Sequence, residues 1–564
     1  MAEYTLREKA PAEAHQNLAA HPELVRELLW SRGVTDTEEA KEFLSPSFER
    51  HSHDPFLLPD MEPAVERILK AIERGEKIGI WSDYDCDGIP GGALLHDFFK
   101  LIGYHNFVNY IPHRHLEGYG LNNDGLTKLK DEGVSLILTV DSGITDVGPV
   151  AHANSIGLEV IVTDHHLPPE KLPEGFAVIN PKRLDNKYPF DGLSGTGVAW
   201  KLIQAVLSRN RFGVAPGQEK WLLDLVGLAT VADMMPLVGE NRALVHFGLV
   251  VMRKNRRPGL RALLALARTR ADMLTEEDIG FTIAPRINAA SRMDEPRLAF
   301  EMLTAADDAS GKTIAKELTR MNDARKGTVA AMVKEAKARL EEEGVPEGII
   351  VMGNPAWRPG LLGLVANSIA ETYGKPVVLW GREGGTTIKG SVRSDGNMNM
   401  VELMAGAKDI FADFGGHKFS GGFSLDDASV HSLKERLTQS YEALRQRGVV
   451  AEPSYIDKEL VLADAVRALP QLEKLAPFGI GNEKPLFLIP GAHVAHIKTF
   501  GKIGNHIELT LTDEWDAKLS AIAFFSTPET FTKKPEIGNR VDVVAHLERS
   551  SMDRRARLRI VDVI

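Results

Sequence analysis

Residues 83–88 read DYDCDG, three aspartates at alternate positions closed by a glycine. Carboxylates held this close repel one another unless cations sit between them. A calcium loop of the EF-hand type is excluded: it needs a glutamate at its twelfth position, and counting from Asp83 that position is Leu94. Two readings stay open, a turn whose aspartates cap the next helix and a catalytic metal site. The same kind of residue recurs downstream. LILTVDSG delivers Asp141, and IVTDHH delivers Asp164, His165 and His166. Carboxylate oxygens with one or two imidazoles suit manganese, magnesium or a related divalent ion. A carboxylate shared by two such ions, about 3.5–4 Å apart, is the usual arrangement for phosphoester hydrolysis. Asp233 lies inside the apolar GLATVADMMPL, where an unpaired buried charge costs several kcal/mol. Joining the metal site removes that cost; capping a helix is the alternative.

Anion-binding candidates accompany these ligands. IPHRHLEGYGLN offers Arg114, APRINAASR offers Arg286 and Arg292, and KGSVRS offers Lys389, Ser391, Arg393 and Ser394. FGGHKFSGGF sets His417 and Lys418 among glycines whose amides can approach phosphate closely. Each alone is an ordinary loop. Beside a two-metal constellation they point to a phosphate backbone as substrate. The GTG of GLSGTGVAW is a weak nucleotide signal that a helix N-terminus explains.

The elements that must position these residues follow an α/β rhythm. KIGIWSD, LILTVDSG and LEVIVTDHH are short apolar, β-branched runs separated by helix-like segments, which implies a parallel sheet covered on both faces. Ligands to such sheets bind beyond the carboxyl ends of the strands, where all three runs end. Residues 1 to about 75 and 192–310 read as mostly helical. The charged, proline-free stretch 311–344 reads as an exposed connecting helix. GIIVMGN and PVVLWGR open a second α/β unit. After about residue 452, roughly five strand-like runs suggest a small barrel such as an OB-fold.

The 564 residues, 43% hydrophobic and 26% charged, suit several globular domains and exclude wholesale disorder. No apolar run approaches the roughly 20 residues that span a bilayer, and MAEYTLREKA lacks a signal-peptide pattern. The single cysteine, Cys86, excludes an internal disulfide framework and fits a reducing compartment, so a cytoplasmic protein with no membrane partner is expected. A net charge of −11 argues against general adhesion to nucleic acid, so any such binding must use local basic patches.

DYDCDG, IPHRHLEGYGLN, LTVDSGIT, VTDHHLP and GLATVADMMPL occur in the order seen in the DHH family of phosphoesterases. With INPKR, APRINAASR, KGSVRS, FGGHKFSGG and APFGIGNEKPLF, the chain from about residue 54 onward resembles that family's bacterial single-strand-specific exonucleases. The resemblance implies an α/β architecture in four parts: an N-terminal segment with a parallel-sheet DHH catalytic domain (1–310), a connecting helix (311–344), a smaller α/β DHHA1 domain (345–451) and an OB-fold nucleic-acid-binding barrel (452–564). It implies Asp85, Asp87, Asp141, His165 and Asp233 as ligands of two ions, Mn2+ or Mg2+. Asp83 would ligate or support the site, Asp164 would orient its neighbour, and His166 would lie against the substrate phosphate. Arg114, Ser391 and Arg393 would hold a 5′-terminal phosphate, with Arg286 and His417 along the strand. Arg358, Ser291 and Ser82 depart from the family's usual histidine and glycines.

The activity so implied is 5′→3′ hydrolysis of single-stranded DNA to 5′-mononucleotides in DNA repair and recombination. A monomer is expected, acting on a strand with a 5′ end alongside a single-strand-binding protein and a helicase. Two alternatives are a DHH phosphoesterase of short oligonucleotides or cyclic dinucleotides and a non-catalytic replication scaffold. Of the barrel aromatics, Phe478 and Phe487 are read as either stacking platforms or core.

Overall fold

The computed structural model describes residues 4–293, 295–383, 387–446, 454–501, 504–514, 517–550 and 554–564. The chain opens on a short strand, β1 (Tyr4–Leu6). The catalytic sheet follows: β2 (Lys77–Ser82), β3 (Phe107–Tyr110), β4 (Val134–Val140), β5 (Glu159–Thr163) and β6 (Ala177–Ile179). All its pairings are parallel, in the order β3-β2-β4-β5-β6. Helices cover both faces, so the central strands are buried over all but their first residue or two, as their unbroken apolar runs require. The order reverses at β2, which opens a crevice at the carboxyl ends of β2 and β4.

Helices dominate from Gly195 to Leu303. The expected connecting helix is a single element, Asp308–Glu343, of 36 residues and therefore about 54 Å long. Asp307 caps it, accepting from the amides of Ala309 and Ser310. The second α/β unit has β7 (Ile350–Gly353), β8 (Val377–Gly381), β9 (Ile388–Arg393), β10 (Asp413–His417) and β11 (Ser420–Leu425), ordered β10-β11-β9-β8-β7. Only β7 and β8 run parallel.

The C-terminal unit adds β12 (Ser454–Ile456), β13 (Lys458–Glu459), β14 (Leu486–Phe500), β15 (His506–Thr512), β16 (Lys518–Phe524), β17 (Arg540–Arg549) and β18 (Ala556–Val563). The last five form a barrel in the order β14-β15-β16-β18-β17, closed by β14 against β17. β14 pairs with both neighbours by bending at two register breaks, one at Ile489/Ala492 and one at Val494/His496. Phe487 is fully buried and Phe478 packs against the same core, so both are core aromatics.

The N-terminal segment divides between two cores: its first helices pack with the barrel, while Phe48 and Phe56 pack against the catalytic core. β1 pairs in parallel with β12, and Leu18, Val25, Leu28, Leu29 and Ala40 share a core with Leu469, Leu472 and Phe487. An amphipathic helix shows from sequence which face it buries, but not which partner covers that face. Leu58 and Met61 are the first fully buried members of the catalytic core. The boundary expected at 451–452 lies outside the described residues. Among the described residues, no helix is long and apolar enough to cross a membrane.

Candidate metal centre and phosphate pocket

The DYDCDG turn leaves β2 at the crevice. Asp85 does act as a cap: its Oδ1 accepts from the amides of Asp87 and Gly88 at 2.7 and 3.2 Å. The carboxylates on either side of it face inward. Asp83 is buried and its Oδ1 has no hydrogen-bond partner. Asp87 is held by the N-terminus of the helix Gly195–Arg209, whose Gly195 and Thr196 amides donate to its two oxygens at 2.6 and 2.8 Å. The GTG segment is thus an anion-binding helix end, and the anion is the chain's own carboxylate. Gly195 is required there, because a Cβ would lie 2.6 Å from Asp141 Cβ.

Asp141 follows β4 in the left-handed region, φ +62°, unusual for a residue with a side chain. That backbone turns its carboxylate into the crevice, where Oδ1 has no hydrogen-bond partner. His165 Nε2 lies 3.1 Å from Asp141 Oδ1, 3.5 Å from Asp233 Oδ2 and 3.7 Å from Asp87 Oδ2. Neither ring nitrogen of His165 makes a hydrogen bond. Burial, then the neighbouring His166, pushes its pKa down to about 3, so the ring is neutral and these approaches are not ion pairs. A neutral imidazole with a free lone pair is the form that binds metal.

Three groups place one donor atom of each member within 4.8 Å of the others: Asp83–Asp85–Asp141, Asp87–His165–Asp233 and Asp141–His165–His166. Asp141 links the first and third. Burial, reinforced by neighbouring carboxylates, raises Asp83 and Asp141 well above the ordinary range. Burial with Asp87 and Asp85 lifts Asp233 to about 8, and burial with Asp85 lifts Asp87 to about 6. Orphaned oxygens on Asp83, Asp141 and Asp233, with both His165 nitrogens, form an oxygen-rich donor set that fits hard divalent cations.

His166 differs from His165. Burial opposes its charge, but the hydrogen bond from Nδ1 to Asp164 Oδ1, at 2.8 Å, and the attraction of that carboxylate raise it to about 9. Asp164 also accepts from the amides of His165, His166 and Ile144, which fixes the whole DHH turn. Tyr119 joins from the EGYG loop, its hydroxyl donating to Asp141 O at 3.0 Å and lying 3.1 Å from His166 Nδ1.

Beside the carboxylates lies a cationic pocket. The Arg114 guanidinium sits 4.9 Å from the Tyr84 ring centroid, over the turn itself. Arg393 Nη1 donates to Val392 O at 2.7 Å and lies 3.5 Å from Ser391 Oγ. Both arginines face Arg292, which donates to Gly360 O at the start of the helix Pro359–Tyr373. Burial, with the repulsion of Arg114, Arg325 and Arg393, lowers Arg292 to about 9. Such crowding calls for an anion. Arg286 faces Asp323 and Arg325 of the long helix. His417, on β10, faces His166 and Lys182 across the cleft.

Arg325, Lys182, Tyr119 and the Gly195–Thr196 amides join the site without having been singled out as functional. Only long-range packing brings them in; the GTG helix start is a local signal for an anion, but it does not say which anion it binds. Of the departures, Ser291 and Ser82 are buried small residues and Arg358 pairs with Glu383 at 2.7 Å. None is a member of a metal group.

Family models agree with these units. The DHH family N-terminal domain matches residues 77–230, the DHHA1 domain 347–446 and the RecJ OB domain 456–562. The single-stranded-DNA-specific exonuclease RecJ of Salmonella typhimurium is 32% identical over 86% of this chain and 86% of its own length. The chain belongs to the RecJ family. The Bacillus subtilis RecJ is 34% identical over 89% of this chain, which spans 63% of that relative's length. The structure of Thermus thermophilus RecJ in complex with Mn2+ superposes with a TM-score of 0.80 at 28% identity, covering 100% of this chain and 79% of that one. A further structure of RecJ from that organism is in complex with Mg2+. The metals named for these RecJ structures are those that suit the donor set above.

Proposed function

We propose that this RecJ-family chain hydrolyses single-stranded DNA from the 5′ end, releasing 5′-mononucleotides. The observation that carries this reading is one crevice holding two metal-binding groups beside an arginine pocket built from both α/β units. Asp83, Asp85 and Asp141 would hold one divalent ion, and Asp87, His165 and Asp233 the other. When bound, the two cations activate water and neutralise charge that builds on the phosphate. The protein supplies the rest. Arg114, Arg292, Ser391 and Arg393 hold the terminal phosphate and so set the polarity. The His166 imidazolium donates to an oxygen of the scissile phosphate, and Asp164 keeps its ring oriented and charged. Arg286 and His417 contact the strand as it leaves the centre.

An open groove of about 1060 Å³ lies between the long helix and the barrel, lined by Arg325, Lys326, Val333, Leu364, Asn505 and Phe525. Cations on an apolar floor suit a strand whose phosphates are neutralised while its bases stack. Phe525 is 82% exposed and takes the stacking role that the buried Phe487 cannot. A single-strand-binding protein and a helicase are the partners such an activity calls for, and a cytoplasmic monomer is the form in which we place it. The test of the site is Asp141→Ala. We expect loss of at least about a thousandfold in kcat with Mn2+ present; undiminished cleavage, with contaminating nucleases excluded, would refute the assignment.

A further inference from the structure

The motif APFGIGNEK, residues 476–484, lies in the barrel unit but faces neither the crevice nor the groove. Gly479 and Asn482 exchange backbone hydrogen bonds of 2.9 and 3.0 Å, making a tight hairpin with Ile480 and Gly481 at its tip. The fully buried Asn482 donates from Nδ2 to Leu475 O and Pro477 O, and its Oδ1 accepts from Arg32 Nε at 2.7 Å. The catalytic domain grips the other side. Arg242 donates to Ala476 O at 3.0 Å, Glu276 accepts from the Phe478 amide at 3.1 Å, and Lys484 pairs with Glu277 at 2.7 Å.

The tip meets the segment that carries Asp233. Asp233 ends the helix Leu223–Ala232, Met234 turns with φ +56°, and the Leu237 amide donates to Ile480 O at 2.7 Å. A Cβ on Gly479 would lie 2.8 Å from Leu237 Cδ1. Asn241 Nδ2 then ties this segment to a second one, donating to Pro236 O at 3.1 Å and to Gly192 O at 2.6 Å. From Gly192 the chain leads directly to Gly195 and Thr196, whose amides hold Asp87. One shelf therefore carries Asp233 and supports Asp87, two members of the group Asp87–His165–Asp233. The group Asp83–Asp85–Asp141 hangs from the ends of β2 and β4 and meets the shelf where Gly195 packs on Asp141.

We propose that the 476–484 hairpin is a positioning element for one of the two metal sites, so that the barrel unit tunes the site of Asp87, His165 and Asp233 while the other loads independently. This rests on the reading that each group holds one ion. The test is a Mn2+ titration of the full-length protein without DNA, by calorimetry and by electron paramagnetic resonance of free Mn2+. Wild type, Gly479→Ala, Gly479→Leu and Asn482→Ala are compared, with thermal unfolding in EDTA confirming a cooperative fold. Wild type should bind two ions. The variants should keep one at wild-type affinity and bind the second about tenfold to a hundredfold more weakly. Gly479→Ala should fall between wild type and Gly479→Leu, which keeps the series readable if the larger side chain prevents folding. Unchanged affinities for both ions, or equal weakening of both, would overturn the proposal. Fewer than two ions on wild type would instead refute the two-ion reading beneath it.

Discussion

At the scale of single residues, the centre is a balance of protons and cations. With Asp233 lifted to about 8, Asp87 to about 6, and Asp83 and Asp141 higher than the ordinary range, the metal-free site holds protons near neutral pH. A cation must displace them. Apparent Mn2+ affinity should therefore fall as pH drops from about 8 toward 6, and rise again on return. Calorimetry at pH 7 in buffers of different ionisation enthalpy should show release of about one proton or more on saturation; a buffer-independent heat would contradict this. A carboxylate outside the metal groups titrates for a structural reason. Asp146 accepts from the Leu121 amide at 2.7 Å, and burial raises it to about 6. Its folded-state pKa lies above the ordinary value of 3.8, so its contribution is fully present below that value and is lost as pH rises from there through about 6. Asp146→Asn keeps the acceptor and removes the charge. The variant should match wild type at about pH 3.5 or below and exceed it by up to about 3 kcal/mol at pH 8 in chemical denaturation. Equal stability at pH 8 would show that the charge is not strained.

At the scale of elements, the N-terminus of the helix Gly195–Arg209 does for Asp87 what a bound cation does from the other side. Gly195→Ala would drive a methyl into Asp141 and lift the helix off both carboxylates. We expect a loss of about 1–3 kcal/mol in stability and Mn2+ affinity lowered about tenfold or more, read by thermal unfolding and calorimetry. Wild-type affinity would mean that the helix end merely fills space. The three turns that carry the candidate ligands were legible because an apolar, β-branched run and its abrupt acidic end are local signals, and a parallel sheet sends such ends to one edge. The role of Gly195 and Thr196 was not. A glycine-rich helix start signals anion binding, but the anion proved to be a side chain 108 residues away in sequence from Gly195. The N-terminal helices showed their apolar faces, yet their partner is a barrel more than 400 residues further on. Arg292 was visible as a cation. Its place between Arg114, Arg325 and Arg393 depends on three separate elements meeting.

At the scale of the whole molecule, the crevice is assembled from two α/β units, with a barrel and a long helix framing the way out. The metal groups lie on the catalytic domain, whereas Ser391, Arg393 and His417 come from the second unit across the cleft. Substrate polarity should therefore depend on the pairing of the units, not on the metals alone. Arg393→Ala should leave Mn2+ binding unchanged and lower kcat/KM on 5′-phosphorylated strands about tenfold or more, the loss of one charge-assisted contact. A drop in Mn2+ affinity instead would place Arg393 in the metal centre. The end at which cleavage begins decides the polarity of the enzyme. The most direct measurement is a time course on single- and double-stranded DNA labelled at either end, with Mn2+ or Mg2+ supplied and an EDTA control. We predict immediate release of the 5′ label as a mononucleotide, from single strands only and only with metal, while the 3′ label is released last. Early release of the 3′ label, or equal digestion of duplex, would contradict it.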